Sequence, residues 1–216
     1  MNPTLHTITQ IEALKRPRGY CAVYVDGDET LRAHRASVAA AGLRPGDRVD
    51  PDALKRMLDA AQEADALRQA LDALAGRDRT VTELRRRLSA RRLPQPIIAT
   101  VLERLREKGL LDDRRYAREY VRTQGTRRGL GPVALRAKLA QLGMASSVVD
   151  EALSQELPDG RQESIAETLA RKRLSRLRSA DPADVRPRLY QFILRRGFDP
   201  DLAARVVDGV LADRDD

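Results

Sequence analysis

Apolar residues recur along this chain in one pattern that appears three times. The first copy is Leu84, Leu88, Leu93, Ile97, Val101, Leu102 and Leu105. The second is Leu135, Leu139, Met144, Val148, Ala152 and Leu153, ending on Leu157. The third is Leu189, Ile193, Phe198, Leu202, Val206, Val207 and Val210. Successive copies start 51 and 54 residues apart. Spacings of three and four within each half predict helices. A period near fifty is too long for one helical hairpin, so each unit is a small helical motif. Arg92 of the first copy stands where the others have Gly143 and Gly197.

Residues 1–50 read differently. Ile8–Ile11 and Tyr20–Val25 are β-branched and aromatic, which suits strands, with Lys15–Gly19 as the loop between them. Asp26-Gly27 predicts a hairpin turn, because both central residues of a type I′ turn need positive φ. Thr30–Ala33 is the expected return strand and His34–Ala41 a short helix stopped by Gly42. Asp50-Pro51 then opens a helix, Asp as N-cap and Pro in the first turn. Leu54, Leu58, Ala61, Ala64, Leu67, Leu71 and Leu74 carry it to Gly76. Such a helix is about 37 Å long at 1.5 Å per residue. Its first half would carry the sheet and its second half the first repeat, with a break near Glu63 compatible with the pattern.

Each repeat reads as helix, helix, turn, helix. In the first, Thr80-x-x-Glu83 is a capping box, and Pro94-Gln95-Pro96 precedes a helix over 97–108 ended by Gly109. In the second, Tyr116, Ala117, Tyr120 and Val121 mark a helical face, and 125–131 is read as a loop carrying Arg127 and Arg128. Pro132 opens the next helix, Gly143 ends it and Ser146-Ser147 introduces the third. Pro158-Asp159-Gly160 is read as a link. In the third, Ile165, Leu169 and Leu174 mark the first helix. A second starts after Asp184 with Pro187 in its first turn, and Asp199-Pro200 caps the last. The acidic end, 213–216, is expected to fray. The expected parts are thus 1–50, 51–110, 111–158 and 159–216. The fold class is mainly α: three tandem three-helix repeats in an elongated array behind a small antiparallel sheet and a long connecting helix.

Charge changes this picture from architecture towards function. The 216 residues carry a net charge of +8. Residues 1–75 hold 10 basic and 11 acidic side chains, whereas 76–216 hold 30 and 21, so the excess belongs to the repeats. Of the 40 basic residues 35 are Arg, the better side chain for bidentate pairing with phosphate or carboxylate, although a biased genome composition would enrich it too. Aromatics make up only 3%, so the core must be Leu, Val and Ala, a mixture that favours helices. The single cysteine, Cys21, excludes an internal disulfide and suits a reducing compartment as a buried strand residue. No apolar run is long enough to span a membrane, and residues 1–10 lack a signal-peptide pattern, so a cytoplasmic location is expected.

Little points to catalysis. The two histidines, His6 and His34, lie outside the repeats. No Cys/His cluster has zinc spacing and no Gly-rich phosphate loop is present. Asp112-Asp113 and Asp199/Asp201 sit at helix starts, where Asp caps the helix and complements its dipole. No metal, cofactor or enzymatic activity is expected. The basic residues suit binding. Arg85, Arg86 and Arg87 lie between Leu84 and Leu88, so on the outer face of their helix, and Arg136 and Lys138 repeat two of them. Arg122, Arg127 and Arg128 precede that echo, and Arg171-Lys172-Arg173, Arg176, Arg178, Arg195 and Arg196 follow it. Such clusters would neutralise phosphates without reading sequence. Interleaved Glu83, Glu103, Glu107 and Glu119 also suit a solvated face, but confinement of the excess positive charge to the repeats favours binding. Tyr116 and Tyr120, four apart, are read as core rather than as a stacking platform.

Gly109-Leu110-Leu111-Asp112-Asp113-x-x-Tyr116-Ala117-x-x-Tyr120-Val121 resembles the signature of the RecX regulatory proteins. Gly131-Pro132-x-x-Leu135-Arg136-x-x-Leu139-x-x-x-Gly143 resembles the segment that follows it there. Leu84–Leu88 and Arg196-Gly197-Phe198-Asp199 resemble further family stretches, and together these cover residues 64–212. Lys138, Leu142 and Met144 depart from the family's usual Glu, Lys and Ile. The N-terminal hairpin is similar to an extension that some members carry. The resemblance implies three tandem three-helix units that bind the groove of the RecA–DNA filament. There they restrain RecA's ATPase, strand-exchange and co-protease activities, and single- or double-stranded DNA is a further implied partner. On this reading the chain is a monomeric, non-enzymatic regulator. Arg85, Arg86, Arg122, Arg127, Arg128, Arg136, Lys138, Arg195 and Arg196 are its expected contacts to RecA acids or DNA phosphate. The rival expectation is a helix-turn-helix-like transcription regulator acting on duplex DNA.

Overall fold

A computed structural model describes residues 5–177 and 182–215, and Arg178 and Asp216 of the sequence reading lie outside them. The described residues form four strands and ten helices. The chain divides into two compact units, Met1–Leu111 and Asp112–Asp216.

The first unit opens with β1 (His6–Ala13), β2 (Tyr20–Val25) and β3 (Asp28–His34), followed by the two-residue β4 (Arg48–Val49). The antiparallel sheet has the order β3-β2-β1-β4. Val25 pairs with Asp28, and Asp26 and Gly27 between them have φ of 52° and 95°, as the turn signal requires. His34 caps α1 (Arg35–Ala40) by accepting from Ala36 N at 3.3 Å. β4 escaped the sequence reading, being only two residues beside a turn.

α2 (Pro51–Gly76) is capped by Asp50, whose carboxylate accepts from Ala53 N at 2.8 Å. It runs unbroken past Glu63. Met57, Leu58 and Ala61 pack into the sheet core with Ile8, Val23 and Val38. Ala66, Ala70 and Ala73 join a separate core with α3 (Val81–Ser89) and α4 (Gln95–Glu107). Where the two cores meet, Asp65 is buried at 2% exposure. Its carboxylate accepts from Gln69 Nε2 at 2.7 Å, Arg68 Nη2 at 3.1 Å and His34 N at 3.3 Å. Arg68 also donates to the Tyr20 hydroxyl, which burial and Asp65 push above its ordinary pKa. A charge this buried persists only because its partners surround it, and the cluster ties β2 and β3 to α2.

In the second unit α5 (Asp113–Arg128), α6 (Pro132–Gln141) and α7 (Ser146–Glu156) form one trio. α8 (Asp159–Leu174), α9 (Pro182–Arg195) and α10 (Pro200–Asp215) form the next. Leu135, Leu139 and Leu153 fill the first core, and Leu189, Ile193 and Val207 the second. Ile165 of α8 touches both. Tyr116 and Tyr120 are half-buried against the first core, with rings stacked 6.1 Å apart. Cys21 of the first unit is buried as expected.

Four readings need correction. Residues 125–128 are not a loop, because α5 continues through Gly125 to Arg128. One buried mid-helix glycine costs about 1 kcal/mol, which the packing of Val121 and its neighbours outweighs. The helix stops instead at Gly129, in the left-handed region at φ 62°. The link near Pro158 is shorter than read, since α8 starts at Asp159. α9 starts at Pro182, before Asp184, so Pro187 lies inside the helix rather than in its first turn. The acidic end stays helical to Asp215.

Candidate functional site

The C-terminal end of α5 is held against α8. Gly129 makes this approach possible, since a Cβ there would lie 2.7 Å from Leu169 Cδ1. Arg161 at the start of α8 donates to Thr126 Oγ1 at 3.1 Å. α9 closes the third side through two main-chain bonds, Gly131 N to Arg196 O at 2.8 Å and Val133 N to Gly197 O at 3.0 Å.

Between these elements lies a cleft of about 520 Å³. Ile165 and Leu169 of α8 form its apolar side. One turn further on, the same helix face turns basic with Lys172 and Arg173, and Arg176 follows in the turn just after α8. Arg127, Arg128 and Arg196 complete the basic part of the lining, which contains no Asp or Glu. Among the described residues none of these six cations pairs with a carboxylate. Phe192 sits beneath two of them, with the Arg196 and Arg173 guanidiniums 5.3 and 5.5 Å from its ring centre. Arg196 also donates to the Arg128 carbonyl. These contacts fix two guanidiniums while leaving their charge unneutralised.

The other expected contact residues are distributed differently. Arg122 pairs with Glu119, and that carboxyl is held below its ordinary pKa by hydrogen bonds from Thr123 and Arg122. Arg136 pairs with Asp150 at 2.9 Å. Lys138 and Arg195 are exposed and stand outside the cleft lining. Arg85 and Arg86 are exposed on α3 in the first unit. The structure therefore brings Arg127, Arg128 and Arg196 together in one cleft, whose lining does not include the others. The basic run over 171–176 is plain in the sequence, but nothing there marks Lys172, Arg173 and Arg176 as sharing a site with Arg127, Arg128 and Arg196. Nor does the sequence carry a signal for Phe192, an apolar residue on a helix. Asp112 and Asp199 act as caps: Asp112 accepts from Arg115 N at 2.9 Å and Asp199 from Asp201 N at 2.9 Å. Among the described residues no group of three or more His, Cys, Asp or Glu could hold a metal ion. No described helix is long and apolar enough to cross a membrane.

Three family models match the chain in order. The first three-helix domain of RecX matches residues 66–105, the second 112–153 and the third 162–207. The chain belongs to the RecX family. Regulatory protein RecX of Levilactobacillus brevis is 34% identical over 200 residues, covering 93% of this chain and 74% of that protein. The RecX protein of Mycolicibacterium vanbaalenii is 36% identical over 169 residues, covering 76% and 90%. A crystal structure of a regulatory protein RecX matches with a TM-score of 0.67 at 29% identity, over 94% of this chain and all of that one. RecX from Lactobacillus salivarius shares the fold with a TM-score of 0.66 at 24% identity, over 70% of this chain and 97% of that one. The three RecX trios correspond to α2 with α3 and α4, α5–α7, and α8–α10. The basic cleft lies between the second and third.

Proposed function

We propose that this RecX-family chain binds the RecA–DNA filament and inhibits its ATPase, recombinase and co-protease activities. It acts by occupancy rather than catalysis, which fits relatives that are named regulatory proteins. Binding one filament state shifts the filament's equilibrium towards that state by its differential affinity. It also covers surface that duplex DNA or a cleaved repressor would need. The observation that carries this reading is the cleft, where cations gather with no carboxylate among the lining residues in a chain of this family.

The contacts fall into two sets. Arg127, Arg128 and Arg196 are the leading ones: among the described residues none has a carboxylate partner, and Arg196 is held by Phe192 and the Arg128 carbonyl. Arg85, Arg86, Lys138 and Arg195 are exposed and supplementary. Arg122 and Arg136 must first release Glu119 and Asp150, though exposed pairs like these are weak because water and salt screen them.

Salt-titrated binding to RecA-coated single strands and to bare duplex tests the reading. Tighter and less salt-sensitive binding to the coated strand is expected, because part of that interface is protein. Equal or stronger sequence-dependent binding to bare duplex would overturn it in favour of a transcription regulator.

A further inference from the structure

We propose that the cleft between α5, α8 and α9 is also a site for a compact polyphosphate. Its ligand is the phosphate chain of a nucleoside triphosphate or of inorganic polyphosphate. The inference stands apart from the filament reading, since the ligand binds the chain alone, without RecA or DNA.

Charge is the first argument. Six cations line the cleft and no carboxylate does. Arg127 and Arg128 lie in the last turn of α5, and Lys172 and Arg173 in that of α8. The two helix C-termini offset part of the repulsion, but each supplies only about half a negative charge. The surplus of several positive charges raises the energy of every cation there until an anion enters.

Shape is the second. A strand of nucleic acid presents one phosphate per 3.4 Å of rise along an open line and is met by an extended row of cations. Here the cations close around a concavity of about 520 Å³, within the range of small-ligand sites. A chain of three phosphates packs four or five charges into such a volume, on the order of one per cation.

Preparation is the third. Phe192 and the Arg128 carbonyl hold Arg196, and Phe192 also holds Arg173. These two side chains therefore have little entropy left to lose when an anion arrives. The Nε of Arg173 is buried and, among the described residues, has no hydrogen-bond acceptor. Arginine offers phosphate the bidentate geometry that lysine lacks, and five of the six cations are Arg.

Calorimetric titration of the full chain with tripolyphosphate, ATP and adenosine tests this. Saturable one-to-one binding of tripolyphosphate and ATP is expected, with none of adenosine. Equal affinity for the first two assigns the site to the phosphate chain alone, and tenfold tighter ATP assigns it to a nucleotide. Joint reversal at exposed Lys172→Glu and Arg176→Glu should weaken binding at least tenfold. Joint reversal at Lys55→Glu and Arg56→Glu, exposed on α2, should change it less than twofold. If the cleft double variant loses its helical circular dichroism, Lys172→Ala and Arg176→Ala taken singly should each weaken binding threefold or more. Absence of saturation would overturn the proposal, as would equal loss in the α2 variant. So would a short oligothymidylate of matched charge binding more tightly than tripolyphosphate, which would give the cleft to the nucleic-acid backbone.

Discussion

Gly131 and Gly197 meet so closely that neither has room for a side chain. A Cβ on Gly131 would lie 2.4 Å from the Gly197 carbonyl oxygen, and one on Gly197 would lie 2.5 Å from Ala134 N. The contact lets Gly131 N reach Arg196 O and Val133 N reach Gly197 O. The second and third repeats are thus joined main chain to main chain beside the cleft, and Arg196 is fixed at its edge.

Gly131→Ala should therefore cost about 2 kcal/mol or more, from overpacking and strained main-chain bonds. Gly160→Ala is the contrasting case. That glycine sits in the first turn of α8 with open space around it, and the change should stabilise by about 0.5 kcal/mol. Urea unfolding of both variants checks the pair; equal effects would remove the close-contact explanation.

Arg92 has φ of 59°, close to the 76° and 85° of Gly143 and Gly197 at the matching places of the other repeats. All three repeats turn through the left-handed region here, and only the first does so with a side chain. Arg92→Gly should stabilise by about 0.5–1 kcal/mol, since a residue with Cβ is strained there. A rise in Tm would be the readout, and an unchanged or lower Tm would count against the argument.

Asp65 is the keystone of the first unit's junction between sheet and helix. Asp65→Ala leaves Arg68 and the His34 N–H short of an acceptor and should cost about 3 kcal/mol. Hydrogen exchange should quicken first in β2 and β3, ahead of α3 and α4. Uniform quickening throughout the unit would show that Asp65 does not tie the sheet locally.

Glu83 predicts a pH dependence. Burial works to raise its carboxyl pKa, but hydrogen bonds from Arg77 and from Thr80 N outweigh burial and hold it below the ordinary value. A group depressed on folding adds stability that is complete above its unfolded pKa and is lost as pH falls through its folded pKa. Glu83→Gln should therefore lower stability at neutral pH and lose less than the parent between about pH 6 and pH 3. Parallel pH curves for the two proteins would contradict this.

Much of the fold was legible because its signals are local. Asp50-Pro51, the Thr80–Glu83 box and Gly143 each act within one helical turn, and each ends or starts a helix where read. Gly125 misled because a glycine's meaning depends on what surrounds it: it is buried inside α5, while Gly129 four residues on ends the helix. The cleft was only half legible. Spacing puts Leu169, Lys172 and Arg173 within one turn of α8, but it cannot say that the end of α5 faces them. Nor can it say that Asp150, fourteen residues away, occupies Arg136. Gly131 and Gly197 read as turn residues, and their close approach exists only once two repeats are packed.

The central claim is regulation of RecA, and the cleft is proposed to carry it. The most direct measurement is RecA-driven ATP hydrolysis on single-stranded DNA titrated with this chain and with its Arg127→Glu/Arg128→Glu variant. Inhibition is expected at fewer copies of the chain than of RecA, shifted to at least tenfold higher concentration in the variant while its helical signal is unchanged. Inhibition absent at every ratio, or identical curves for chain and variant, would contradict it.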